Sequence, residues 1–159
     1  MRRIGSYVLL SAVVLVSLAA CGGGGSSSLS KADFIAKSDA VCKDLNDKGN
    51  NTGQPKDAKE TATLIDSLLT SARSARAKLA ALKPPSDGQQ LQKDMLAQFD
   101  TQLAAGDRAK AIAQKGDMQG AIDEMSKIDT SAMDKRLSDY GFKDCSNSGT
   151  GDPSGASGN

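Results

Sequence analysis

The sequence has no histidine and no tryptophan, and only 3% of its residues are aromatic. Histidine is the commonest general base near neutral pH, a common zinc ligand and the usual haem ligand. The sequence also lacks a G-x-S-x-G nucleophile motif, a C-x-x-C pair, a P-loop and an H-E-x-x-H metal motif. We therefore expect no catalytic residue, no metal site and no cofactor, and we predict that the protein is not an enzyme.

An excess of charge of either sign is missing as well. Lys and Arg number 20 and Asp and Glu number 19, whereas nucleic-acid-binding proteins usually carry a strong basic excess. We expect no nucleic-acid partner. Alternating β-branched residues, the usual mark of strands, are scarce, and Ala, Leu, Lys, Gln, Asp and Ser dominate the middle of the chain. This composition predicts an all-α protein.

The first 20 residues have the pattern of a secretory signal peptide, with two arginines followed by an apolar run over residues 4–20. That run is shorter than the ~20 residues of a membrane-spanning helix. It ends in "LAAC" (18–21), which resembles the bacterial lipobox. The resemblance implies that diacylglycerol is attached to the Cys21 sulfur and that the signal peptide is cleaved before Cys21. The alternative is an uncleaved anchor, or a plain signal peptide with a chance cysteine.

Lipidation of Cys21 would anchor the protein on the extracytoplasmic face of the cell membrane. Residues 22–28 are all Gly or Ser, and the stretch 21–29 is predicted to be a flexible tether that holds the folded part roughly 15 Å from the lipid. We predict one helical domain over residues 30–145. The Gly- and Ser-rich stretch 146–159 has little to bury and is predicted to be a disordered tail.

Four main helices are predicted, near residues 31–46, 57–82, 87–115 and 118–139. Each of the first two begins at a capping residue that is followed by an acid three positions later, Ser30 and Asp57. The apolar face expected on the first helix consists of Phe34, Ile35, Ser38, Val41, Cys42 and Leu45. The apolar face expected on the fourth consists of Ile122, Met125, Ile128, Met133, Leu137 and Tyr140.

Two glycine–aspartate pairs interrupt the second half of the chain. Gly116-Asp117 predicts a turn between helices, since glycine ends a helix and aspartate caps the next one. Gly106-Asp107 predicts either a kink or a second turn. Asp39–Lys43 and Asp123–Lys127 have the spacing of solvated ion pairs on exposed helix faces.

The chain has three cysteines. If Cys21 carries lipid, Cys42 and Cys145 remain, and two cysteines outside the cytoplasm most often pair. The ordered motifs "FIAKSDAVC" (34–42), "LKPP" (82–85) and "YGFKDC" (140–145) resemble a group of uncharacterised small secreted lipoproteins of actinobacteria. In that group, position 38 is expected to be alanine. The resemblance implies a helical domain with a Cys42–Cys145 disulfide and implies no activity.

This disulfide restricts the topology, because in an up-down-up-down bundle Cys42 and Cys145 would lie at opposite ends. Either the 47–56 linker runs along the bundle and makes the first two helices parallel, or segment 141–145 folds back along the bundle. We favour the long linker, because ten residues are many for a hairpin turn.

Two non-enzymatic functions remain open. One is a binding or interaction module for an unknown envelope protein or ligand. The other is a carrier that holds a lipid or other apolar ligand in a groove between Ala-rich helices, where small side chains leave either close-packed helices or a cavity. Arg73, Arg76 and Lys83 flank the apolar face of the second helix. Contact with lipid headgroups or anionic wall polymer is one interpretation of them, and we favour a solvated edge whose stems cover apolar surface.

Overall fold

The computed structural model describes residues 27–147, and about three quarters of these residues are helical, with no strand among them. Its α-helices are α1 (Lys31–Asn50), α2 (Ala58–Ala81), α3 (Gln89–Ala113), α4 (Met118–Ser126) and α5 (Ser131–Tyr140). A short 3-10 helix (Ser86–Gly88) precedes α3. The predicted all-α, bundle-like fold is confirmed.

The predicted capping residues begin α1 and α2. The Asp33 N–H donates to the Ser30 hydroxyl at 3.1 Å, and the Glu60 N–H donates to the Asp57 carboxylate at 2.8 Å. Glu60 in turn accepts from the backbone N–H of Lys56 at 2.9 Å. These bonds satisfy backbone donors that a helix start otherwise leaves unpaired.

The predicted end of the first helix was too early, because α1 continues to Asn50. Two ion pairs with i,i+4 spacing, Lys43–Asp47 and Lys48–Asp44, support this last turn. The Asn51 side chain and backbone N–H both donate to the Asp47 carbonyl and end the helix. The linker between α1 and α2 is therefore short.

The first three helices run antiparallel to one another in sequence order. The Leu29 N–H donates to the Lys83 carbonyl at 2.8 Å, so the start of α1 lies beside the end of α2. Ion pairs join α2 to α3 in reversed order, with Arg76 to Asp100 and Arg73 to Asp107. The favoured topology, with the first two helices parallel, is therefore wrong.

The second topology is the one observed, because the chain folds back after α5. Gly141 adopts φ +116° and turns the chain out of α5, a conformation that glycine adopts at little cost. Residues 141–147, which we call the C-terminal strap, then run along α1 from Phe34 to Asn46. Phe142 packs edge-to-face on Phe34, with ring centroids 5.6 Å apart.

The fourth predicted helix is broken at residues 127–130. The Asp129 carboxylate accepts the Ser131 N–H at 2.9 Å and its hydroxyl at 2.6 Å, which favours a new helix start over a continuous helix. The two halves, α4 and α5, both lie along α3 through Glu124–Arg108 and Arg136–Asp94 contacts.

The break changes which residues of α4 are buried. Ala121 is buried against Ala109 and Ala113 of α3, whereas Ile122 and Met125 are 50% and 41% exposed. The prediction that Ile122 and Met125 belong to the core face is wrong. The prediction assumed that one continuous helix carries the same apolar face as far as Leu137. Because the helix is broken, α4 and α5 bury faces that are set independently of each other.

The Gly106-Asp107 pair is neither a kink nor a turn, because α3 continues through it. Gly106 faces Leu69 of α2 so closely that an added Cβ would lie 2.6 Å from the Leu69 Cδ2 atom. The glycine therefore allows close approach of α2 and α3. Gly116-Asp117 does form the predicted turn, with φ +91° at Gly116 and Asp117 capping α4.

Two groups of buried side chains form the core. The larger group contains two aromatic residues and the disulfide: Phe34, Cys42, Leu79, Leu91, Met95, Leu137, Phe142 and Cys145. The smaller is a cluster of alanines between α2, α3 and α4. No helix in residues 27–147 combines the length and apolar character needed to cross a bilayer.

The folded part is slightly longer at both ends than predicted. Leu29, placed in the tether by the sequence, packs against the larger core group. Ser146 and Asn147, placed in the tail, are hydrogen-bonded: the Ser146 hydroxyl to the Phe142 carbonyl, and the Asn147 carbonyl to the Asn46 amide. The predictions of lipidation at Cys21, of a signal peptide over residues 1–20 and of a tail from residue 148 fall on residues outside those that the structure describes.

Candidate functional site

The disulfide and an acidic side chain fasten the C-terminal strap to α1. Cys42 and Cys145 are bonded, as predicted, with Cα atoms 5.1 Å apart and a sequence separation of 103. Both are buried. Redox-active cysteines need exposure to solvent and a neighbour that stabilises the thiolate, often a histidine. This disulfide is buried and the chain has no histidine, so its environment is that of a structural disulfide.

Asp39 makes the most extensive polar contact of the strap. Its carboxylate accepts backbone N–H groups from Lys143, Asp144 and Cys145 at 3.0 Å each. The predicted Asp39–Lys43 ion pair does not form, and Lys43 bonds Asp47 instead. A carboxylate with three backbone donors acts as an anchor for the strap.

Ser38 lies on α1 directly before Asp39. Its side chain is 0% exposed, and its hydroxyl has no hydrogen-bond partner within the described residues. A buried hydroxyl without a partner costs free energy. The Ser38 hydroxyl therefore lowers the stability of the folded domain.

The end of the bundle where α1 begins carries an aromatic cluster. Tyr140 stacks on Phe142 with centroids 5.6 Å apart and contacts Phe34 edge-on. The Lys31 ammonium lies 4.0 Å from the centre of the Tyr140 ring. Burial, together with the nearby Asp87 carboxylate, raises the pKa of Tyr140 above its usual value.

Both arginines of α2 form ion pairs with carboxylates of α3. Arg73 makes two bonds to Asp107 at 2.7 and 2.8 Å, and Arg76 makes two to Asp100 at 2.6 and 2.7 Å. The Arg76 contact lowers the pKa of Asp100. These arginines join α2 to α3 while their ion pairs stay partly exposed to solvent. Lys83 is exposed and has no ion-pair partner in residues 27–147.

Helices α2 and α3 are closely packed along their Ala-rich contact. This is the place where the sequence allowed either close-packed helices or a cavity for a carried ligand. Ala75, Ala105 and Ala109 are buried there. Towards the start of α2 the helices separate into an open cleft of about 460 Å³, with Asp66 and Lys110 among its lining residues. The Lys110 ammonium lowers the pKa of Asp66. This cleft has a polar rim and opens to solvent.

The exposed part of α4 is the clearest unpartnered apolar surface in residues 27–147. Met118, Ile122 and Met125 have i, i+4, i+7 spacing and share one side of the helix. Met118 is half-buried, while the other two are exposed. We call these three residues the α4 surface. Asp123, bonded to Gln119 and not to Lys127, lies beside it.

No group of three or more His, Cys, Asp or Glu side chains in residues 27–147 is arranged to share a metal ion. The chain matches no protein-family model, no curated protein and no solved structure.

Sequence reasoning found the disulfide and missed the role of Asp39 and the exposure of the α4 surface. Asp39 looked like a solvated acid because its backbone partners lie more than 100 positions away. The signal for the α4 break was present in the Asp129-Thr130-Ser131 sequence, which is a run of capping residues.

Proposed function

We propose that this chain is a lipid-anchored cell-envelope protein, held by lipid on Cys21, that works without catalysis as an interaction module for another envelope protein. The observation that carries the proposal is the position of the α4 surface relative to the start of the domain. Leu29, eight positions after Cys21, is bonded to Lys83 at the end of α2. That end of the bundle would face the lipid.

The α4 surface lies towards the opposite end. Glu124 of α4 pairs with Arg108 of α3, which is 19 residues beyond Gln89 at the start of α3. With a rise of 1.5 Å per residue, this distance is about 28 Å along the bundle. A surface this far from the anchored end favours a protein over lipid as its occupant.

Ile122 and Met125 give this partner its chemistry. Exposed apolar side chains in one stripe fit an apolar ridge such as a helix face. Asp123 beside the stripe favours a partner with basic residues at the rim of the contact.

The test is site-specific photo-crosslinking in the living source cells. A photoreactive residue at position 122 or at position 125 should give one discrete adduct. The adduct from position 122 should be lost when Met125→Asp is added, and the adduct from position 125 should be lost when Ile122→Asp is added. Thr70, exposed on α2, is the matched control position and should give no adduct.

Equal adducts from positions 70, 122 and 125, or none from 122 and 125, would overturn the interaction surface. An adduct of twice the chain's own mass would identify a second copy as the occupant and contradict a separate partner. Membrane fractionation of Cys21→Ser tests the anchor independently: the variant should escape lipid processing and lose membrane association.

The carrier remains the alternative proposal. Native mass spectrometry of the purified mature protein separates it from the interaction module, because a carrier would retain an apolar ligand of defined mass.

A further inference from the structure

The end of the bundle that leads to Cys21 contains a basic cleft. It has a volume of about 400 Å³ and includes Ser28, Leu82, Lys83, Pro84 and Lys93 in its lining. Two lysines and no carboxylate line it. We call it the proximal cleft.

The two lysines are available to an external anion. Lys83 and Lys93 are exposed, and neither makes an ion pair within residues 27–147. Asp94, one position after Lys93, accepts hydrogen bonds from Arg136 and Gln90. The Lys93 charge contributes to its lowered pKa only as the smallest cause, after these two bonds and the Arg136 charge.

The chain itself brings this cleft to the membrane. Ser28 lines the cleft and lies only seven positions after Cys21. Seven residues span at most about 25 Å even when fully extended. If Cys21 is lipidated, the proximal cleft therefore lies within that distance of the headgroups.

From this we infer that the proximal cleft binds the phosphate groups of anionic phospholipid headgroups through Lys83 and Lys93, and so holds the domain upright on the membrane. This inference rests on the proposed lipid anchor. Leu82 and Pro84 add apolar surface beside the two cations, and lysine stems with apolar neighbours suit a headgroup layer. Each lysine near an anionic surface should raise membrane affinity about fivefold.

The upright orientation also has a consequence for the α4 surface. A domain that lay on its side could bring α4 against lipid, whereas a domain fixed by its proximal cleft keeps α4 in the space above the membrane. Binding of headgroups at the proximal cleft would thus keep the α4 surface accessible to its protein partner.

The experiment uses the lipidated mature protein in vesicles. Because the chain has no tryptophan, Ser86→Trp gives a single tryptophan at the proximal end, and Thr63→Trp gives one on α2 towards the opposite end. Both positions are exposed. Quenching is measured with nitroxide-headgroup lipid, in phosphatidylglycerol vesicles and in phosphatidylcholine vesicles.

Quenching of the Ser86→Trp protein should be at least twofold stronger in phosphatidylglycerol than in phosphatidylcholine. High salt should remove the difference, because it screens exposed charges. Lys83→Gln with Lys93→Gln should also remove it, whereas Lys59→Gln with Lys115→Gln, a matched pair at the other end, should not. The Thr63→Trp protein should show little quenching in either lipid.

Equal quenching at positions 86 and 63, or the same quenching in both lipids, would overturn the inference while leaving the anchor intact. Mass spectrometry of the same preparation identifies the other failure. A mature chain with no lipid on Cys21 would overturn both the anchor and the inference.

Discussion

At the residue scale, two neighbouring side chains of α1 affect the stability of the domain in opposite directions. Asp39 supports the strap with three charge-assisted hydrogen bonds. Ser38, one residue earlier, places an unpartnered hydroxyl in the same region. Neighbouring positions in the sequence thus have opposite effects on stability.

Ser38→Ala should stabilise the protein by about 1 kcal/mol, because it removes a buried hydroxyl that has no partner. Urea unfolding measures the change. Ser74→Ala is the control, since Ser74 is exposed on α2 and reports only the helix preference of alanine. A gain at position 38 no larger than at position 74 would contradict the argument.

Asp39→Asn should destabilise the protein by about 1.5–3 kcal/mol, the usual worth of hydrogen bonds to a charged group. Asp47→Asn on the same helix removes only an exposed ion pair and should cost less than about 1 kcal/mol. Chemical denaturation of both variants checks the difference. Equal costs would show that Asp39 is not an anchor.

At the element scale, the α2–α3 pair depends on small residues and on ion pairs that cross the seam. Gly106 permits the close approach to Leu69, and the flanking arginines bind carboxylates of α3. The Gly106–Leu69 contact in the middle of the α2–α3 interface and the ion pairs at its edge therefore favour the same alignment of the two helices.

Gly106→Val should destabilise the protein by about 1–3 kcal/mol, because the added carbons would overlap Leu69 and overpacking carries this cost. Gly49→Ala is the matched control: Gly49 lies in α1 with open space around it, so alanine should be neutral or stabilising. Thermal melts measure both. A stable Gly106→Val protein would mean that the seam can open.

At the scale of the whole molecule, the disulfide closes a loop of about 100 residues around a core that has few aromatic side chains. In the chain-entropy model such a loop contributes up to about 4.7 kcal/mol. Reduction, or Cys42→Ser with Cys145→Ser, should lower the melting temperature sharply while helical content at low temperature persists. Circular dichroism measures both, and an unchanged melt after reduction would contradict this.

Stability should change little between about pH 5 and pH 9, because the chain has no histidine to titrate there. Arg76 lowers the pKa of Asp100, and Arg136 lowers that of Asp94. Groups with a lowered folded-state pKa stabilise above their unfolded pKa, so stability should fall as pH falls below about 4.

At alkaline pH the sign is reversed. Burial raises the pKa of Tyr140, so its contribution is present below its unfolded pKa of about 10 and is lost as pH rises further. Tyr140→Phe should weaken the alkaline loss. Melting temperatures measured from pH 3 to pH 11 test both limbs, and a transition near pH 6.5 would contradict the prediction.

Much of the architecture could be predicted from the sequence because local chemistry determines it. Ser30 and Asp57 cap helices through bonds to residues three positions away, and Gly116-Asp117 makes a turn within a few residues. The Cys42–Cys145 bond joins distant positions, yet it was predictable from cysteine arithmetic and the resemblance. These features require no knowledge of how helices pack.

Only the tertiary structure decided the topology and the exposed surfaces. The strap follows α1 because Phe142 packs on Phe34 and because the Asp39 carboxylate accepts hydrogen bonds from backbone N–H groups of the strap. These contacts join residues about 100 positions apart. The α4 surface is exposed because the break at Asp129 lets Ala121, and not its larger neighbours, face α3. Helical periodicity shows that an apolar face exists, whereas packing against another helix determines which face is buried.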